Sequence, residues 1–385
     1  MSGAALAIVQ LGKGWFPEEP GGLNRYFYDC LHYLPKAGVT VHGLVAGTAQ
    51  VATGSEGLVS AFAPSQASLL NRWQGVRRSL PTHVSQADVV VSHFALYTFP
   101  VLMQLGDRPL VVHFHGPWAL ESQAEGTNAI ATQFKKWLEQ TCYRRATVFV
   151  VLSKAFQTIL HEDYGVPLDK IQIVPGGVNP DRFHTSLSRT EARQKLGWDS
   201  DRPTIVAVRR LAKRMGLENL VRAIAQVKAT HPDVQLKIAG KGALQESLQT
   251  QIAELGVDDQ VDLLGYVPDE QLPFIYRAAD FSIVPTVALE GFGLIVVESL
   301  AAGTPVLGTP VGGIPEILYP FSPDLVLEGC GVEHLSQGIL DAFDGRRSLP
   351  SQEACQTYIQ DNFAWPIIAQ KLQTIYAAAQ EGKSP

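Results

Sequence analysis

Two glutamates on either side of a Gly-Phe-Gly turn are the residues of this chain with the clearest chemical potential. Glu290 and Glu298 stand eight positions apart, and an apolar stretch follows the turn. That stretch predicts a short helix, because Gly303 stands where a helix C′ glycine is expected and Pro305 prevents continuation. The pattern therefore predicts one carboxylate in a loop ahead of the helix and the other about one turn inside it.

The start of this helix is predicted to offer an anion site between the two carboxylates. The backbone N–H groups of Gly293, Leu294 and Ile295 would point outward there, and a helix N-terminus binds anions because its first N–H groups lack partners. An anion site flanked by two acceptors for sugar hydroxyls indicates a sugar nucleotide as the ligand. The spacing alone also fits a buried loop with two solvated glutamates, so both interpretations stay open at this point.

A glycine pair near the N-terminus offers a second candidate for phosphate contact. Gly21 and Gly22 follow the first predicted strand and precede a helix that begins at about Leu23. Glycine lets the backbone approach a ligand closely, and the helix start again presents N–H groups to a phosphate. An ordinary strand-to-helix turn has the same pattern.

Two histidines end a predicted strand in the first half of the chain. Alternation along an extended strand sends His113 and His115 to the same side. They could be metal ligands, but no third or fourth His, Cys or carboxylate has a matching local spacing. The sequence therefore predicts no metal site. His115, at the carboxyl edge of the strand, is the candidate for substrate contact.

A basic loop follows the first predicted strand of the second half. Its cations are Arg209, Arg210, Lys213 and Arg214. Beside a diphosphate leaving group they would neutralise the charge that grows as the bond to it breaks. A solvated basic loop is the alternative.

Composition and charge limit the classes of protein to which the chain can belong. Its 385 residues fit two domains of about 150–200 residues, and 46% hydrophobic with 18% charged residues indicates a well-packed globule. A net charge of −6 argues against a nucleic-acid partner. Four widely separated cysteines without a C-x-x-C pair predict buried free thiols and a cytoplasmic location. No apolar run is long enough to span a membrane.

One segment of the first half could lie at a surface that binds something large. Leu69–Arg78 combines apolar residues with arginines. It could contact an acceptor or the inner face of a membrane, which would make the protein peripheral there. An exposed loop or helix face is the alternative.

Short apolar runs alternate with amphipathic segments from end to end. This alternation predicts parallel sheets covered on both faces by helices, repeated twice. The predicted strands are Leu6–Leu11, Val39–Val45, Val89–Ser92, Leu110–His113, Thr147–Leu152, Thr204–Val208, Gln235–Ala239, Val261–Leu264, Phe281–Val284 and Pro305–Gly308. The predicted helices include Leu23–Ala37, Asn128–Arg145, Leu217–Lys228, Leu244–Leu255 and Trp365–Ala379.

The boundary between the two domains is predicted in the polar segment Asn179–Arg202. This gives a first Rossmann-like domain over residues 1–186, a second over 187–364, and a C-terminal helix over 365–385 that packs back on the first. Ligands of open parallel sheets bind beyond the carboxyl ends of the strands, so two facing domains would share a cleft. Asp199 and Asp201 have the D-x-D form of some metal-binding sugar-transfer enzymes, but their place in the linker indicates a solvated turn.

Taken together, these motifs resemble the retaining glycosyltransferases of the GT-B fold, specifically the large glycosyltransferase family four. The likeness extends over nearly the whole chain. The family's E-x7-E signature matches Glu290 to Glu298, its Gly-Gly phosphate loop matches Gly21-Gly22, and its sugar-contacting histidine matches His115. Two further segments are similar to its V-P-N-G-V motif before the linker and to the stretch that meets the nucleobase, namely Ile173–Phe183 and Leu264–Pro268.

The resemblance implies two Rossmann-like doubly wound domains and a set of site residues. Glu298 would hold the ribose hydroxyls and Glu290 a hydroxyl of the transferred sugar. Arg210 and the helix start would stabilise the diphosphate, so the expected catalytic residues are His115, Arg210 and Glu290. The donor contacts implied in full are Gly21, Gly22, Arg210, Arg214, Tyr266, Val267, Glu290, Gly291, Phe292, Gly293, Leu294, Ile295 and Glu298. The acceptor contacts expected in the loops of the first domain are Asn24, Arg25, His93, His115 and Trp118.

One position departs from the family pattern. The family reads G-R-L-x-x-R-K-G where this chain has residues 209–216, and Met215 stands in place of the lysine. Methionine cannot donate a hydrogen bond or carry charge. Arg214 or Lys213 could reach the diphosphate in its place.

The expected function is transfer of a hexosyl group from a nucleoside diphosphate sugar to a hydroxyl of a sugar, lipid or small molecule. A UDP-sugar is the favoured donor and GDP-mannose the next. Front-face attack, in which a phosphate oxygen takes the acceptor's proton, would retain the anomer and require neither metal nor other cofactor. The paired acids are not expected to act as a glycosidase pair, whose carboxylates must flank the scissile bond.

Two other functions stay open. One is a different GT-B enzyme, such as an epimerase or a phosphorylase. The other is a sugar-nucleotide-binding protein without turnover. A dinucleotide-dependent dehydrogenase is disfavoured because no G-x-G-x-x-G follows Leu6–Leu11.

Overall fold

The computed structural model of the chain describes residues 5–382. These residues form two compact units, each built around one parallel sheet. One unit runs up to Gly177 and includes the segment from Trp365 onward, and the other is Val178–Ala364. Residues 1–4 and 383–385, which fall within the expected domain limits, lie outside the described residues.

The first unit contains one sheet. Its strands are β1 (Ala7–Gly14), β2 (Thr40–Ala46), β3 (Val59–Ala63), β4 (Val89–Ser92), β5 (Leu110–Phe114), β6 (Val148–Val151) and β7 (Ile171–Ile173). They form one parallel seven-stranded sheet in the order β3-β2-β1-β4-β5-β6-β7. Its helices are α1 (Gly22–Tyr33), α2 (Gln50–Gly54), α3 (Leu69–Val84), α4 (Ala95–Thr98), α5 (Trp118–Ala124), α6 (Ala129–Arg145), α7 (Lys154–Tyr164) and, at the end of the chain, α17 (Trp365–Gln380). Short 3₁₀ helices cover Pro35–Ala37, Phe99–Gln104 and Leu168–Lys170.

Successive side chains of the central strands enter two separate hydrophobic layers. Val90 packs in the layer beneath α3, α4, α6 and α7, whereas Val89 and Val91 pack in the layer beneath α1 and α17. Strand side chains alternate between faces, and here both faces are covered. This is why β4 begins with three consecutive valines rather than with an apolar-polar alternation.

The last helix, α17, packs within the first unit. Trp365 is fully buried at its start, where its indole Nε1 donates to Asp29 Oδ2 at 3.1 Å and its ring stacks on Tyr33 at a centroid distance of 5.7 Å. A Cβ on Gly177 would lie 2.7 Å from the Trp365 ring, so no larger residue fits at that position. The chain therefore needs glycine at the point where it leaves this unit.

The second unit also contains one sheet. Its strands are β8 (Thr204–Val208), β9 (Gln235–Ala239), β10 (Val261–Gly265), β11 (Phe281–Val284) and β12 (Val306–Gly308). They form a parallel five-stranded sheet in the order β10-β9-β8-β11-β12. Its helices are α8 (Pro180–Phe183), α9 (Arg189–Leu196), α10 (Leu217–Val227), α11 (Gln245–Glu254), α12 (Leu272–Ala278), α13 (Leu294–Ala301), α14 (Ile314–Leu318), α15 (Val332–Phe343) and α16 (Gln352–Asn362). Short 3₁₀ helices cover Lys213–Met215 and Pro323–Leu325.

The prediction of two parallel α/β sheets is confirmed, and four strands, β4, β8, β9 and β11, have the predicted limits. The strands β3 and β7 were not predicted, because β3 is half exposed and β7 has only three residues. Within the described part of the chain the cysteines are free, and three of them are buried, as expected.

The polar segment Asn179–Arg202, in which the domain boundary is predicted, belongs to the second unit. The segment contains α8 and α9, and α9 begins with a capping box between Ser188 and Glu191. Arg193 is buried and its Nη2 donates to Asp280 Oδ2 at 2.9 Å, which ties α9 into the second unit. The units divide at Gly177 and Val178, ahead of the expected limit between residues 186 and 187.

Both sheets have a topological switch point, which is where open α/β sheets bind ligands. The order reverses between β1 and β4 in the first unit and between β8 and β11 in the second. The residues that follow the carboxyl ends of these strands are therefore the ones to inspect for function.

Candidate functional site

A buried ion pair lies at the switch point of the second unit. Arg209 follows the last residue of β8, and its Nη2 donates to Glu290 Oε2 at 2.7 Å in the loop after β11. The same Nη2 donates to Thr286 Oγ1, and the side chains of Arg209 and Glu290 are 7% and 13% exposed. The Arg209 Nε–H is buried without a hydrogen-bond partner. Because a buried donor without a partner costs stability, this N–H is suited to an acceptor supplied by a ligand.

The loop that carries Glu290 is held by backbone contacts. Leu289 has a left-handed φ of 54°, which is strained for a leucine. Its carbonyl accepts from Arg214 Nη1 at 2.7 Å, and the Arg214 carbonyl in turn accepts from the N–H of Val287 at 3.0 Å. Arg214, predicted as a donor contact, therefore positions the Glu290 loop.

Glycines let neighbouring segments close on this loop. Gly216 has a φ of 74°, and a Cβ there would lie 1.9 Å from the Pro285 carbonyl oxygen. A Cβ on Gly312 would lie 1.8 Å from the carbonyl oxygen of Glu290. Neither position can carry a side chain without moving the backbone around the ion pair.

The predicted helix after the Gly-Phe-Gly turn is confirmed. It is α13, which begins at Leu294 behind Gly293 with a φ of 94°. Glu298 lies in the second turn of the helix and is half-buried, and it accepts from the Tyr276 hydroxyl at 3.3 Å. Burial raises the pKa of Tyr276, while the charges of Arg182 and Arg209 act in the opposite direction. Glu298 is therefore held by Tyr276, whereas Glu290 is held by Arg209.

Other predicted donor residues occupy different environments. Arg210 and Tyr266 are exposed, Tyr266 directly after β10, and Val267 is half-buried. The Phe292 ring is buried against Phe363 at a centroid distance of 5.8 Å, so only its backbone and that of Gly291 could face a ligand. Met215 is 6% exposed and belongs to the core.

The glycine pair of the first unit starts α1. Gly21 and Gly22 are both exposed, and Gly21 has a φ of 153° that favours glycine. Asn24 is buried, and its Nδ2 donates to the Glu19 carbonyl at 2.8 Å while its Oδ1 has no partner. Arg25 donates from Nε to Asp29 Oδ2 at 3.1 Å. Their roles as ligand contacts stay predictions.

Three histidines come together at the switch point of the first unit. His93 follows β4, and its Nδ1 lies 3.0 Å from Nε2 of the half-buried His115, which follows β5. His113, the last but one residue of β5, is buried beside them. The ligand nitrogens of the three residues all lie within 4.8 Å of one another. Local spacing could not reveal this third histidine, because it comes from the neighbouring strand.

The histidine cluster is uncharged at neutral pH. Burial lowers the pKa of His115 to about 3. Burial, together with the neighbouring histidines, also holds the pKa values of His93 and His113 well below 6.5. His93, predicted as an acceptor contact, is buried and bonded on both ring nitrogens, so it is better placed to orient His115 than to touch an acceptor.

The first turn of α5 is anchored by a buried carboxyl group. Glu139 on α6 accepts from the N–H groups of Trp118 and Ala119 at 3.0 and 3.3 Å, and from the Tyr164 hydroxyl at 2.9 Å. Burial raises its pKa from 4.5 to about 7, although these hydrogen bonds oppose the change. The Trp118 side chain, predicted as an acceptor contact, is half-buried, with Lys135 Nζ 4.9 Å from its ring centroid.

The raised pKa of Glu139 predicts a pH-dependent stability. Between pH 4.5 and about 7 the folded state binds the proton that the unfolded state has lost, so the free energy of unfolding falls as pH rises. Each pKa unit corresponds to about 1.36 kcal/mol, so Glu139→Gln should remove about 2–3 kcal/mol of the loss between pH 5 and pH 8. Urea unfolding at the two pH values measures this. The exposed Glu162→Gln is the control, and equal pH slopes for wild type and Glu139→Gln would contradict the prediction.

The remaining sequence candidates are mostly engaged in the fold. In α3, Trp73 Nε1 donates to the Leu96 carbonyl at 2.9 Å and Arg72 Nη1 donates to the Tyr97 hydroxyl at 2.6 Å, so this part of Leu69–Arg78 faces the protein. Asp199 accepts from the N–H of Asp201 in an exposed turn, as predicted. Across residues 5–382, no helix has both the length and the hydropathy needed to cross a bilayer.

Two family models match the chain. One matches most of the first unit and the other matches most of the second. The model described as Glycosyltransferase Family 4 matches residues 20–182, and the model described as Glycosyl transferases group 1 matches residues 188–361. The D-inositol 3-phosphate glycosyltransferase of Corynebacterium aurimucosum is 28% identical, over 98% of this chain and 95% of that protein. A GDP-mannose-dependent alpha-(1-6)-phosphatidylinositol monomannoside mannosyltransferase of Mycolicibacterium smegmatis is 29% identical over 74% of each.

A solved structure shows the same fold. HepE of Anabaena, in complex with UDP and glucose, matches with a TM-score of 0.79 at 20% identity, covering 97% of this chain and 100% of that one. The likeness confirms the predicted GT-B fold class.

Proposed function

The chain belongs to the group 1, family 4 glycosyltransferases, and on that premise we propose that it transfers a hexosyl group from a nucleoside diphosphate sugar to an acceptor hydroxyl, retaining the anomeric configuration. The observation that carries the proposal is the cluster of Arg209, Thr286 and Glu290 beside the start of α13. It combines a buried cation, a carboxylate and the N–H groups of a helix start at the switch point of the second unit. These are the groups that a sugar diphosphate requires.

The proposed roles divide between sugar, ribose and diphosphate. Glu290 accepts a hydrogen bond from a hydroxyl of the transferred sugar, and Glu298 accepts from the ribose hydroxyls. The N–H groups at the start of α13, from Gly293 to Ile295, bind the diphosphate. We propose that the exposed Tyr266, directly after β10, stacks on the nucleobase.

Arg209 has a role that the motif comparison alone did not suggest. We infer that it supplies the cation that Met215 lacks. Met215 is buried and carries no charge, whereas Arg209 occupies the glycine position of the family pattern and keeps one N–H without a partner next to Glu290. Its charge would stabilise the diphosphate as negative charge develops there, and such fixed charges contribute about 10²–10³ in rate.

The proposed reaction occurs on one face of the sugar. The bond between the anomeric carbon and the diphosphate oxygen breaks, and its electron pair stays with the diphosphate. The acceptor oxygen forms the new bond on the same face, and its proton passes to a phosphate oxygen of the leaving group. This series of steps retains the anomeric configuration, and it needs neither a covalent enzyme intermediate nor a metal ion.

A UDP-sugar is the favoured candidate for the donor, and GDP-mannose is the next. HepE binds UDP and glucose, and the M. smegmatis relative is named for GDP-mannose, so both belong in a first panel. Acceptors should include an inositol phosphate and a phosphatidylinositol monomannoside, after the names of the two relatives.

Proton NMR of the anomeric centre tests the proposal. With the correct donor and acceptor, the product should keep the anomeric configuration of the donor. An inverted centre would exclude front-face transfer. Conversion of the donor alone to another sugar nucleotide would instead identify an epimerase, and donor binding without transfer to any acceptor in the panel would identify a binding protein.

A further inference from the structure

We propose that His93, His113 and His115 form a binding site for a divalent transition-metal ion, Zn²⁺ in the first instance. The three imidazoles come from the ends of adjacent strands β4 and β5, and their ligand nitrogens lie within 4.8 Å of one another. The proposal concerns ion binding by the chain alone and does not depend on the proposed transfer reaction.

Each buried histidine has one ring nitrogen that is hydrogen-bonded to a side chain outside the cluster. His93 Nε2 lies 2.7 Å from Gln10 Oε1, so an ion would be bound by Nδ1 in exchange for its contact with His115 Nε2. His113 Nε2 lies 2.7 Å from the Tyr376 hydroxyl, and its Nδ1 is buried without any hydrogen-bond partner. Metal-bound histidines characteristically donate their second N–H to an oxygen in this way, which fixes the ring and its tautomer.

The unpartnered Nδ1 of His113 distinguishes this cluster from an ordinary hydrogen-bonded chain. His113 is 3% exposed, and a buried acceptor left without a donor costs free energy. A series of hydrogen-bonded side chains that served only to orient His115 would need only the contact between His93 and His115. A bound cation satisfies all three nitrogens together.

Two of the three ligand nitrogens already have nearly the separation that a zinc ion requires. Two nitrogens each 2.0–2.1 Å from a tetrahedral zinc ion are roughly 3.3 Å apart. The His93 Nδ1 to His115 Nε2 distance is 3.0 Å, and the half-buried His115 can rotate more freely than its buried neighbours. On binding, the proton shared by these two nitrogens moves to His115 Nδ1, so both ligating atoms present lone pairs and no net proton is released.

The donor set selects the class of ion. It consists of imidazoles only, with no Cys, Asp or Glu among the grouped residues in the described part of the chain. Imidazole favours zinc and its neighbours in the transition series, whereas Mg²⁺ and Ca²⁺ prefer oxygen ligands. Three histidines leave a fourth position, which water or an exogenous ligand would take on the side where His115 is accessible.

Metal titration of the untagged, metal-free full chain tests the site. Co²⁺ should bind with a ratio of one ion per chain and give the intense visible absorption of four- or five-coordinate cobalt, and Zn²⁺ should displace it. Competition with a chromophoric chelator then gives the Zn²⁺ affinity. His115→Gln and His113→Gln should each weaken that affinity by more than 100-fold, beyond the roughly 10- to 100-fold expected for loss of an outer partner in Tyr376→Phe.

A histidine pair elsewhere in the same unit provides the matched control. His42 and His83 stack at a centroid distance of 3.9 Å outside the cluster, so His83→Gln should leave the Zn²⁺ affinity unchanged. Because His113 is buried, circular dichroism must show that its variant folds, and the more exposed His115→Gln carries the test if it does not. Failure of the wild type to bind Zn²⁺ stoichiometrically, or an unchanged affinity in His115→Gln, overturns the proposal.

Discussion

Replacing Arg209 with methionine is expected to lower kcat about 100- to 1,000-fold, with a smaller change in the KM for the donor. Methionine is also a long, unbranched side chain, but it lacks the positive charge of Arg209 and its Nη–H and Nε–H donors. Glu290 keeps its contact with Thr286 Oγ1 at 3.4 Å, so the loop retains one of its two side-chain contacts at this carboxylate. The loss therefore falls mainly on charge that develops during the reaction, which steady-state kinetics detects in kcat.

Three further variants separate this role from a structural one. Lys213 lies in the same basic loop but is exposed, so Lys213→Met should change kcat by less than about threefold. Arg209→Lys keeps the charge and should retain part of the activity. Thermal melts of all variants check folding. A kcat for Arg209→Met within threefold of the wild type would remove Arg209 from the reaction.

A double variant asks whether Arg209 replaces the missing lysine. Arg209→Gly together with Met215→Lys restores both positions of the family pattern. If one cation serves for the other, Met215→Lys should raise kcat about tenfold or more in the Arg209→Gly background but leave it nearly unchanged in the wild type, and the difference between these two effects is a coupling of about 1.4 kcal/mol or more. Independent, additive losses would show that the two positions are not interchangeable.

The sequence was most informative where the relevant contacts are local. Glu290 and Glu298 flank one turn and one short helix, so spacing alone was enough to place the first in a loop and the second inside α13. The strands with predicted limits are buried along almost their whole length, on both faces of the sheet, and therefore have mostly apolar sequences. In contrast, α9 is mostly polar, and its one local signal, Ser188 followed by Glu191, was overlooked in a segment interpreted as a linker.

Contacts that depend on strand order could not be predicted in this way. Arg209 and Glu290 are 81 residues apart and meet because β8 lies beside β11, and His93 meets His115 because β4 lies beside β5. The sequence also gave no sign of which neighbouring arginine faces inward. Arg209 is buried and Arg210 is exposed, because successive residues at a strand end point to opposite sides. Motif matching favoured Arg210, while the ion pair with Glu290 is made by Arg209.

Replacing Glu298 with alanine is expected to abolish the stabilisation that the correct donor gives to the protein. A donor at 100 times its Kd adds roughly 2.7 kcal/mol of apparent stability, which corresponds to roughly 5–10 °C in Tm for units of this size. A carboxylate that accepts from two ribose hydroxyls contributes charge-assisted hydrogen bonds, and alanine removes both. A thermal-shift series with UDP-, GDP- and ADP-sugars, run on wild type and variant, measures the difference.

The partner of Glu298 within the fold decides how this result is interpreted. The Tyr276 hydroxyl donates to Glu298 Oε2, so alanine also leaves a buried hydroxyl without its acceptor and should lower the Tm of the free protein. Glu298→Gln keeps an acceptor for Tyr276 but loses the negative charge, so its free Tm should stay near that of the wild type while the donor shift falls. Glu254→Ala, on the exposed side of α11, should leave both quantities unchanged. A full donor shift in Glu298→Ala would show that the nucleotide binds without this carboxylate, and the assignment of Glu298 to the ribose would then be wrong.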